Sequence, residues 1–274
     1  MTVPQQSDET PSDHTPIYAA LRDAIRAEAP VSLLSVVDGP GTGNKMLLGA
    51  DGSRLGSLGD GDLDRVVERD ARGELDAGRS GIRHYGPKGQ AGETSVSVFI
   101  ESFSPPPEMW IFGAVDFTAA LARVAKVLGY RVTVCDARAV FTTPRRFPMA
   151  DELVVDWPHR LIEERGATLG QADAICVLTH DPKFDVPAIV AALRTDVGYI
   201  GAMGSRRTHF DRNDRLRAEG VSESDISRIM GPIGLDIGAR TPEETAVSIL
   251  AEIVALRTGR PAPSLRDTEG DIHR

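Results

Sequence analysis

The spacing of apolar residues changes near the middle of the chain. In the first part the apolar runs are short. VSLLSVV (31–37) is rich in β-formers, and KMLLGADGSRLGSL (45–58) reads as two strands about an Asp51–Gly52 turn. SVSVFIE (95–101) alternates, with Val96, Val98 and Ile100 on one face. Helical spacing appears twice, in Ile17–Ala29, ended before Pro30, and in Leu63, Val66, Val67, Ala71 and Leu75. Gly81–Glu93 is glycine-rich and is expected to be loop. In the second part the strands are continuous apolar runs. These are MWIFGA (109–114), YRVTVCD (130–136), ELVVD (152–156), DAICVLTH (173–180) and VGYIGAMG (197–204). Helical patterns lie between them, at Phe117–Leu128 and VPAIVAAL (186–193). A last helix is marked at both ends. Thr241-Pro242-Glu243-Glu244 supplies an N-cap, a proline at the first helical position and a capping glutamate, while Gly259 and Pro261 close it.

Continuous apolar strands separated by helices indicate a parallel sheet covered on both faces. The fold class is therefore α/β: a Rossmann-like, doubly wound parallel sheet preceded by a smaller N-terminal α+β domain. The expected organisation is a disordered leader (1–16), the α+β domain (17–103), a stiff proline linker (104–108), the Rossmann-like domain (109–258) and a polar tail (259–274).

Composition narrows the function. At roughly 100–200 residues per domain, the 274 residues allow one large or two modest domains. A net charge of −9 argues against broad binding to nucleic acid or an anionic membrane. No apolar run approaches the ~20 residues that span a bilayer. The polar N-terminus lacks the pattern of a signal peptide. Two cysteines, Cys135 and Cys176, form no paired motif, and a reducing cytoplasm fits best. Both fall within apolar strands and are expected to be inert.

Ligands of open parallel sheets bind at the carboxyl ends of the strands, where four segments should gather. The first is the Gly113–Thr118 turn with Asp136 at the end of the next strand, a dinucleotide-type layout. It is damaged by Val115 and Thr118 in place of glycines, and by Asp116, whose charge opposes an anion. A purely structural turn is an equal alternative. The second is Thr179-His180-Asp181, where His180 is either an acid/base or ligand donor, or only part of a turn. The third is Gly201–His209, in which Gly201, Gly204, Ser205, Arg206 and Arg207 combine backbone N–H groups with guanidinium forks suited to phosphate. It lacks a Walker ending, and a bare strand–helix turn is the alternative. The fourth is Gly231–Ala239, where Gly234, Asp236 and Gly238 form a tight loop ahead of the capped helix. His180, Asp181, His209 and Asp211 match no strong metal template, so no metal site is expected. No residue is assigned a catalytic role.

YIGAMGSRRTH (199–209), GPIGLDIGARTPEETAVSILAEIVA (231–255) and VLTHDPKFD (177–185) resemble the XdhC/CoxI family, as do PPPEMWIFGA (105–114) and, more weakly, DGSRLGSLGDGDLD (51–64). The resemblance covers nearly the whole chain between Ile17 and Thr258. It implies an accessory factor of molybdenum hydroxylases that binds the molybdenum cofactor, a phosphate-bearing pterin sometimes extended by a nucleotide. Such a factor assists sulfuration of the cofactor and delivers it to the apo-enzyme. The partners implied are that apo-enzyme and a cysteine desulfurase, with a homodimer as the default assembly. A chaperone is favoured over a catalyst. Two departures stand out: Asp62 occupies the place of a cysteine in a GGC motif, and Val115 that of the last glycine of a GAG turn. The alternative reading is an NAD(P)-dependent oxidoreductase using the Gly113…Asp136 layout.

Overall fold

A computed structural model describes residues 15–76, 78–90 and 92–269. The expected leader lies outside them apart from its last two residues, as do the last five residues of the expected tail. The chain divides into two compact units between Pro105 and Pro106.

In the first unit, five strands form an antiparallel sheet in the order β3-β2-β1-β5-β4. They are β1 (Val31–Asp38), β2 (Lys45–Gly49), β3 (Arg54–Gly56), β4 (Gly81–Tyr85) and β5 (Val96–Phe103). Helix α1 (Thr15–Arg26) packs Ile17 and Leu21 against Val31, Leu33 and Leu47 on one face. Helix α2 (Gly61–Asp76) packs Leu63, Val67 and Ala71 against Leu34, Val36, Met46, Val98 and Ile100 on the other. The central strand β1 is covered on both sides, which explains its unbroken apolar sequence. One expectation fails here. Gly81–Tyr85 is not loop but an edge strand paired with β5, Tyr85 opposite Val96. Its middle residues Ile82, Arg83 and His84 are exposed, and an edge strand with one bare side needs no apolar alternation.

The second unit carries six parallel strands in the order β11-β10-β9-β6-β7-β8. They are β6 (Glu108–Phe112), β7 (Arg131–Cys135), β8 (Glu152–Val154), β9 (Ala174–Val177), β10 (Tyr199–Ala202) and β11 (Ile229–Met230). Counted within the unit this is the doubly wound order 3-2-1-4-5-6, and its direction of winding reverses between β6 and β9. Helices α3 (Asp116–Val127) and α8 (Pro242–Thr258) cover one face, with Ala120, Leu121, Ile249 and Ile253 in the shared core. Helices α4 (Pro158–Arg165) and α5 (Pro182–Ala192) cover the other, joined by Leu216 of α6 (Arg206–Ala218) and Ile226 of the short α7 (Glu223–Ile226). Ile111, Val134 and Ile175 are fully buried, and such a side chain contributes about 1.5–3 kcal/mol of transfer free energy. Sequence patterning did not anticipate α4, α7 or β11, which are too short to show a period. The capped helix is α8. Thr241 accepts the Glu244 N–H, Glu244 accepts the Thr241 N–H, and Gly259 ends the helix in a left-handed conformation.

Candidate ligand site at the carboxyl edge of the parallel sheet

The turn after β6 is closed by its own chain. Gly113 has φ +111°, and a Cβ there would lie 2.7 Å from Thr179 Cγ2 and 3.1 Å from the Thr179 nitrogen. Its missing side chain thus makes room for the end of β9. The buried Asp136 carboxylate accepts the Ala114 N–H at 2.8 Å, and the Arg138 guanidinium at 2.9 and 2.7 Å. Burial opposes its ionisation. The Arg138 side chain and the Ala114 and Arg138 backbone N–H groups outweigh that and hold the carboxyl below the usual range. The acid that a dinucleotide ribose would need is therefore already satisfied. Arg146 donates to the Ala114 carbonyl at 2.8 Å and pairs with Asp116 at 3.3 Å. Thr118, where the fingerprint calls for glycine, is fully buried and donates its hydroxyl to the Gly113 carbonyl.

After β9, Asp181 caps α5 by accepting the Lys183 N–H, and its charge is met by Lys183 Nζ at 3.1 Å. His180 beside it is exposed. Thr179 is buried and donates its hydroxyl to Asp185 on the first turn of α5.

The turn after β10 is arranged differently. Gly201 lies within β10, and a Cβ there would meet Ile233 Cδ1 at 2.5 Å. That glycine makes space for the chain itself. Gly204 adopts φ +147°, beside Thr208. Ser205 caps α6 by accepting the Thr208 N–H at 3.1 Å. Arg206 and Arg207 follow, both exposed, and neither forms an ion pair among the described residues. Further along α6 is Arg212, only 2% exposed. Its Nη2 donates to the Met203 carbonyl at 2.6 Å and pairs with Asp185 at 3.2 Å. Its Nη1 is buried with no partner. Burial pushes the Asp185 carboxyl up, against the pull of Thr179 and Arg212. One turn earlier on the same face, His209 Nε2 meets Asn213 Nδ2 at 3.1 Å, while His209 Nδ1 and Asn213 Oδ1 are buried without partners. Burial and the neighbouring Arg212 push the His209 pKa below 6.5. Asp185, Arg212 and Asn213 were not singled out by sequence, and His209 was considered there only as the end of the Gly201–His209 segment and as a metal ligand. Asp185 lies on the first turn of α5, and nothing local marks which residues of the polar α6 turn inward.

The loop after β11 is tied to α8. A Cβ at Gly234 would lie 2.4 Å from Ser248 Oγ, and the Gly234 N–H donates to Glu252 at 3.0 Å. Gly231 meets the neighbouring α6, where a Cβ would lie 2.4 Å from His209 Nδ1. Asp236 and Gly238 are exposed, and Gly238 has open space around it. The edge thus brings Gly204 and Arg212 together, a Cβ at Gly204 lying 3.5 Å from Arg212 Nη2, with His209 next to the Gly231 turn and Arg206 and Arg207 exposed at the start of α6.

No group of three or more His, Cys, Asp or Glu side chains among the described residues is placed to hold a metal ion. Both cysteines are buried. Burial pushes the Cys135 thiol up to about 12 and the Cys176 thiol higher still. In the first unit, Asp62 sits in the first turn of α2, exposed and paired with Arg65 at 2.9 Å. No helix among the described residues is long and apolar enough to cross a membrane.

Residues 109–253, the whole of the doubly wound sheet with most of α8, match the XdhC Rossmann domain. The chain belongs to the XdhC/CoxI family. Residues 24–86 match a second domain, described as the XdhC and CoxI family. Among curated relatives, the uncharacterized protein YqeB of Escherichia coli (strain K12) is 29% identical over 249 residues, 85% of this chain and 44% of that protein. A protein of Bacillus subtilis (strain 168) described as a probable xanthine dehydrogenase component is 33% identical over 165 residues, 60% of this chain and 47% of the relative. The molybdenum cofactor insertion chaperone PaoD of E. coli is 28% identical over 159 residues, 58% and 43% of the two chains. The chain spans less than half the length of these curated relatives. A crystal structure described as a xanthine dehydrogenase from Bacillus halodurans shares the fold, with a TM-score of 0.51 and 20% identity, covering 90% of this chain and 97% of that one.

Proposed function

We propose that this XdhC/CoxI protein is a maturation factor for a molybdenum hydroxylase, which binds the molybdenum cofactor and hands it to the apo-enzyme. One observation carries the reading. At the carboxyl edge of a Rossmann sheet, Arg206 and Arg207 stand exposed at the start of α6, the helix that also carries the buried Arg212. Two backbone N–H groups of the first turn add to this positive end. An anionic group of the cargo docks there, with Gly204 and Ser205 shaping the turn. In this reading Asp236 and His180, exposed on the loops after β11 and β9, hydrogen-bond the remainder of the cargo. The kinship with PaoD supports the same assignment.

The cargo is held through its organic part. Cys135 and Cys176 are the only cysteines. As buried, protonated thiols they supply neither a molybdenum ligand nor a sulfur carrier. Sulfuration of the cofactor in this system therefore draws its sulfur from another protein, a cysteine desulfurase being the chemical class that fits.

The test is direct. The purified protein is mixed anaerobically with isolated molybdenum cofactor and passed through an ultrafilter. NADH and NADPH are run as parallel ligands. Retention of about one molybdenum and one pterin per chain is expected, with loss of at least about tenfold in affinity for the Arg206→Ala/Arg207→Ala variant, as for removal of charge-assisted contacts. Binding of a nicotinamide nucleotide with no molybdenum retained overturns the proposal.

A further inference from the structure

Helix α8 is apolar on two sides. Its inward side, with Ala246, Ile249 and Ile253, packs into the core that it shares with α3. Its outward side carries Val247, Ala251, Val254 and Thr258, whose spacing of three and four residues sets them in one stripe. A surface helix ordinarily turns polar residues outward. Together with Val124 and Leu128 from the end of α3, the stripe lines a groove of about 480 Å3. Val247 and Leu128 are 51% and 45% exposed. A contiguous apolar surface, unlike a single exposed side chain, marks a place where something docks. The two ends of the stripe differ in charge. Glu243 and Glu244 stand in the first turn of α8, Arg257 stands in the last, and Arg260 follows it. Arg123 of α3 answers Glu243 at 2.8 Å, and Lys126 of α3 is held by Asp151. Glu244, Arg257 and Arg260 have no ion pair among the described residues. One end therefore keeps an unanswered acid and the other two unanswered bases. Among the described residues Arg260 is the only charged one lining the groove.

We propose that a second copy of this chain docks on the groove, α8 against α8, antiparallel about a two-fold axis. The order acid, apolar, small, apolar, base along the helix is complementary to itself in that orientation, as an isologous interface requires. With the axis between Leu250 and Ala251, Val247 of each copy stands opposite Val254 of the other. The acidic first turn of each helix then lies beside the basic last turn of its mate, which favours this orientation. The small Ala251 at the centre admits the close approach of packed helices, about 8–10 Å between axes. A parallel pairing would instead set Glu244 against Glu244 and Arg257 against Arg257. The proposal does not depend on the cargo. It does bear on the site, because α8 begins on the loop after β11 at the carboxyl edge of the sheet. Antiparallel pairing of two 17-residue helices puts the two carboxyl edges at opposite ends of a helix pair about 25 Å long.

Sedimentation equilibrium of the full-length protein tests the assembly, and introduced cysteines test the pairing. A mass of two chains is expected. Cys135 and Cys176 are buried, so an interchain disulfide formed under mild oxidation reports the new thiol. Ala251→Cys sits beside the axis and should crosslink two copies. Val247→Cys should not, since Val247 of the other copy lies about 10 Å along the helix from the facing position, beyond the reach of a disulfide. Val247→Cys combined with Val254→Cys should crosslink again. Val247→Glu puts a charge into the apolar centre at an exposed position. It should weaken association about tenfold or more, while urea unfolding followed by tryptophan fluorescence stays close to that of the parent. Arg257→Glu/Arg260→Glu should weaken association several-fold. A monomeric parent overturns the proposal. So does a dimer that Val247→Glu leaves intact, or one in which Ala251→Cys does not crosslink. Crosslinking of Val247→Cys alone, as readily as Ala251→Cys, would show parallel helices and overturns the antiparallel pairing.

Discussion

The turns after β6 and after β10 hold comparable places in the parallel sheet, with β9 between them. Each leads from a strand's carboxyl end into a helix of twelve or thirteen residues. In the first, every charge is answered nearby: Asp136 by Arg138, and Asp116 by Arg146. In the second, two exposed arginines are left without ion pairs among the described residues, and a third, buried, has an idle nitrogen. The Rossmann topology offers both turns to a ligand. What decides between them is whether the local side chains have already satisfied each other.

The contrast breaks most sharply at Arg212. Arg212→Ala leaves Asp185 buried without its counter-charge, and a loss of about 3–5 kcal/mol is expected. Both tryptophans, Trp110 and Trp157, lie in the second unit, so urea unfolding followed by tryptophan fluorescence reports this unit alone. Replacing the pair together, Arg212→Met with Asp185→Leu, should recover most of the stability while ligand binding stays lost. A loss below about 1 kcal/mol in the single variant would show that the pair is solvated.

At the closed turn the expected cost is smaller. Gly113→Ala places a methyl 2.7 Å from Thr179 Cγ2, in a backbone conformation of φ +111°. Overpacking of this kind costs about 1–3 kcal/mol. Because the crowding is against Thr179, which donates to Asp185, the variant should also weaken cofactor retention slightly. A fully stable variant would mean that β9 can move away from the turn.

His209 sharpens the comparison through pH. Its folded pKa lies below the ordinary 6.5 because burial and Arg212 disfavour the charged ring. The unfolded chain therefore takes up the proton first, and the folded state loses stability as pH falls from about 6.5 through the lowered folded value. Asp136 belongs to the closed turn and has a depressed carboxyl pKa. Its stabilisation is present above the ordinary carboxylate pKa and is lost only in more acidic solution. Thermal melting between pH 7.5 and 5.5 should show a fall that His209→Gln flattens and Asp136→Asn does not. The reverse assignment would place the titrating group at the first turn.

Much of this was legible in the sequence. Unbroken apolar runs such as MWIF and AICV could only be strands covered on both faces, and the Thr241–Glu244 cap fixed the start of α8. Gly204, Arg206 and Arg207 were singled out because glycine and arginine occur together at a helix start, and they do lie at the turn from β10 into α6. Arg212 and Asn213 were not, since α6 is polar throughout and nothing local marks which of its polar residues turn inward. Burial is settled by α5 and by the ends of β9 and β10, which the periodicity of α6 does not encode. Gly113, Gly201 and Gly234 were legible as glycines but not in cause. The atoms that exclude a side chain there belong to Thr179, Ile233 and Ser248, each distant in sequence or on another element.

The smallest expected effect is the most discriminating for the first turn. If Val115 alone blocked a dinucleotide, Val115→Gly would restore the backbone approach that a pyrophosphate needs. The geometry around it says otherwise. Val115 precedes α3 without a side-chain cap, and its replacement frees none of the groups that matter. Asp136 would still accept the Ala114 N–H and the Arg138 fork, and Asp116 would still place a carboxylate at the helix N-terminus. NADH affinity, measured by nicotinamide fluorescence at low salt, should therefore be the same in Val115→Gly as in the parent. A gain of tenfold or more would show that Arg138 releases Asp136 to a ribose, and the closed turn would then be a latent nucleotide site rather than a structural one.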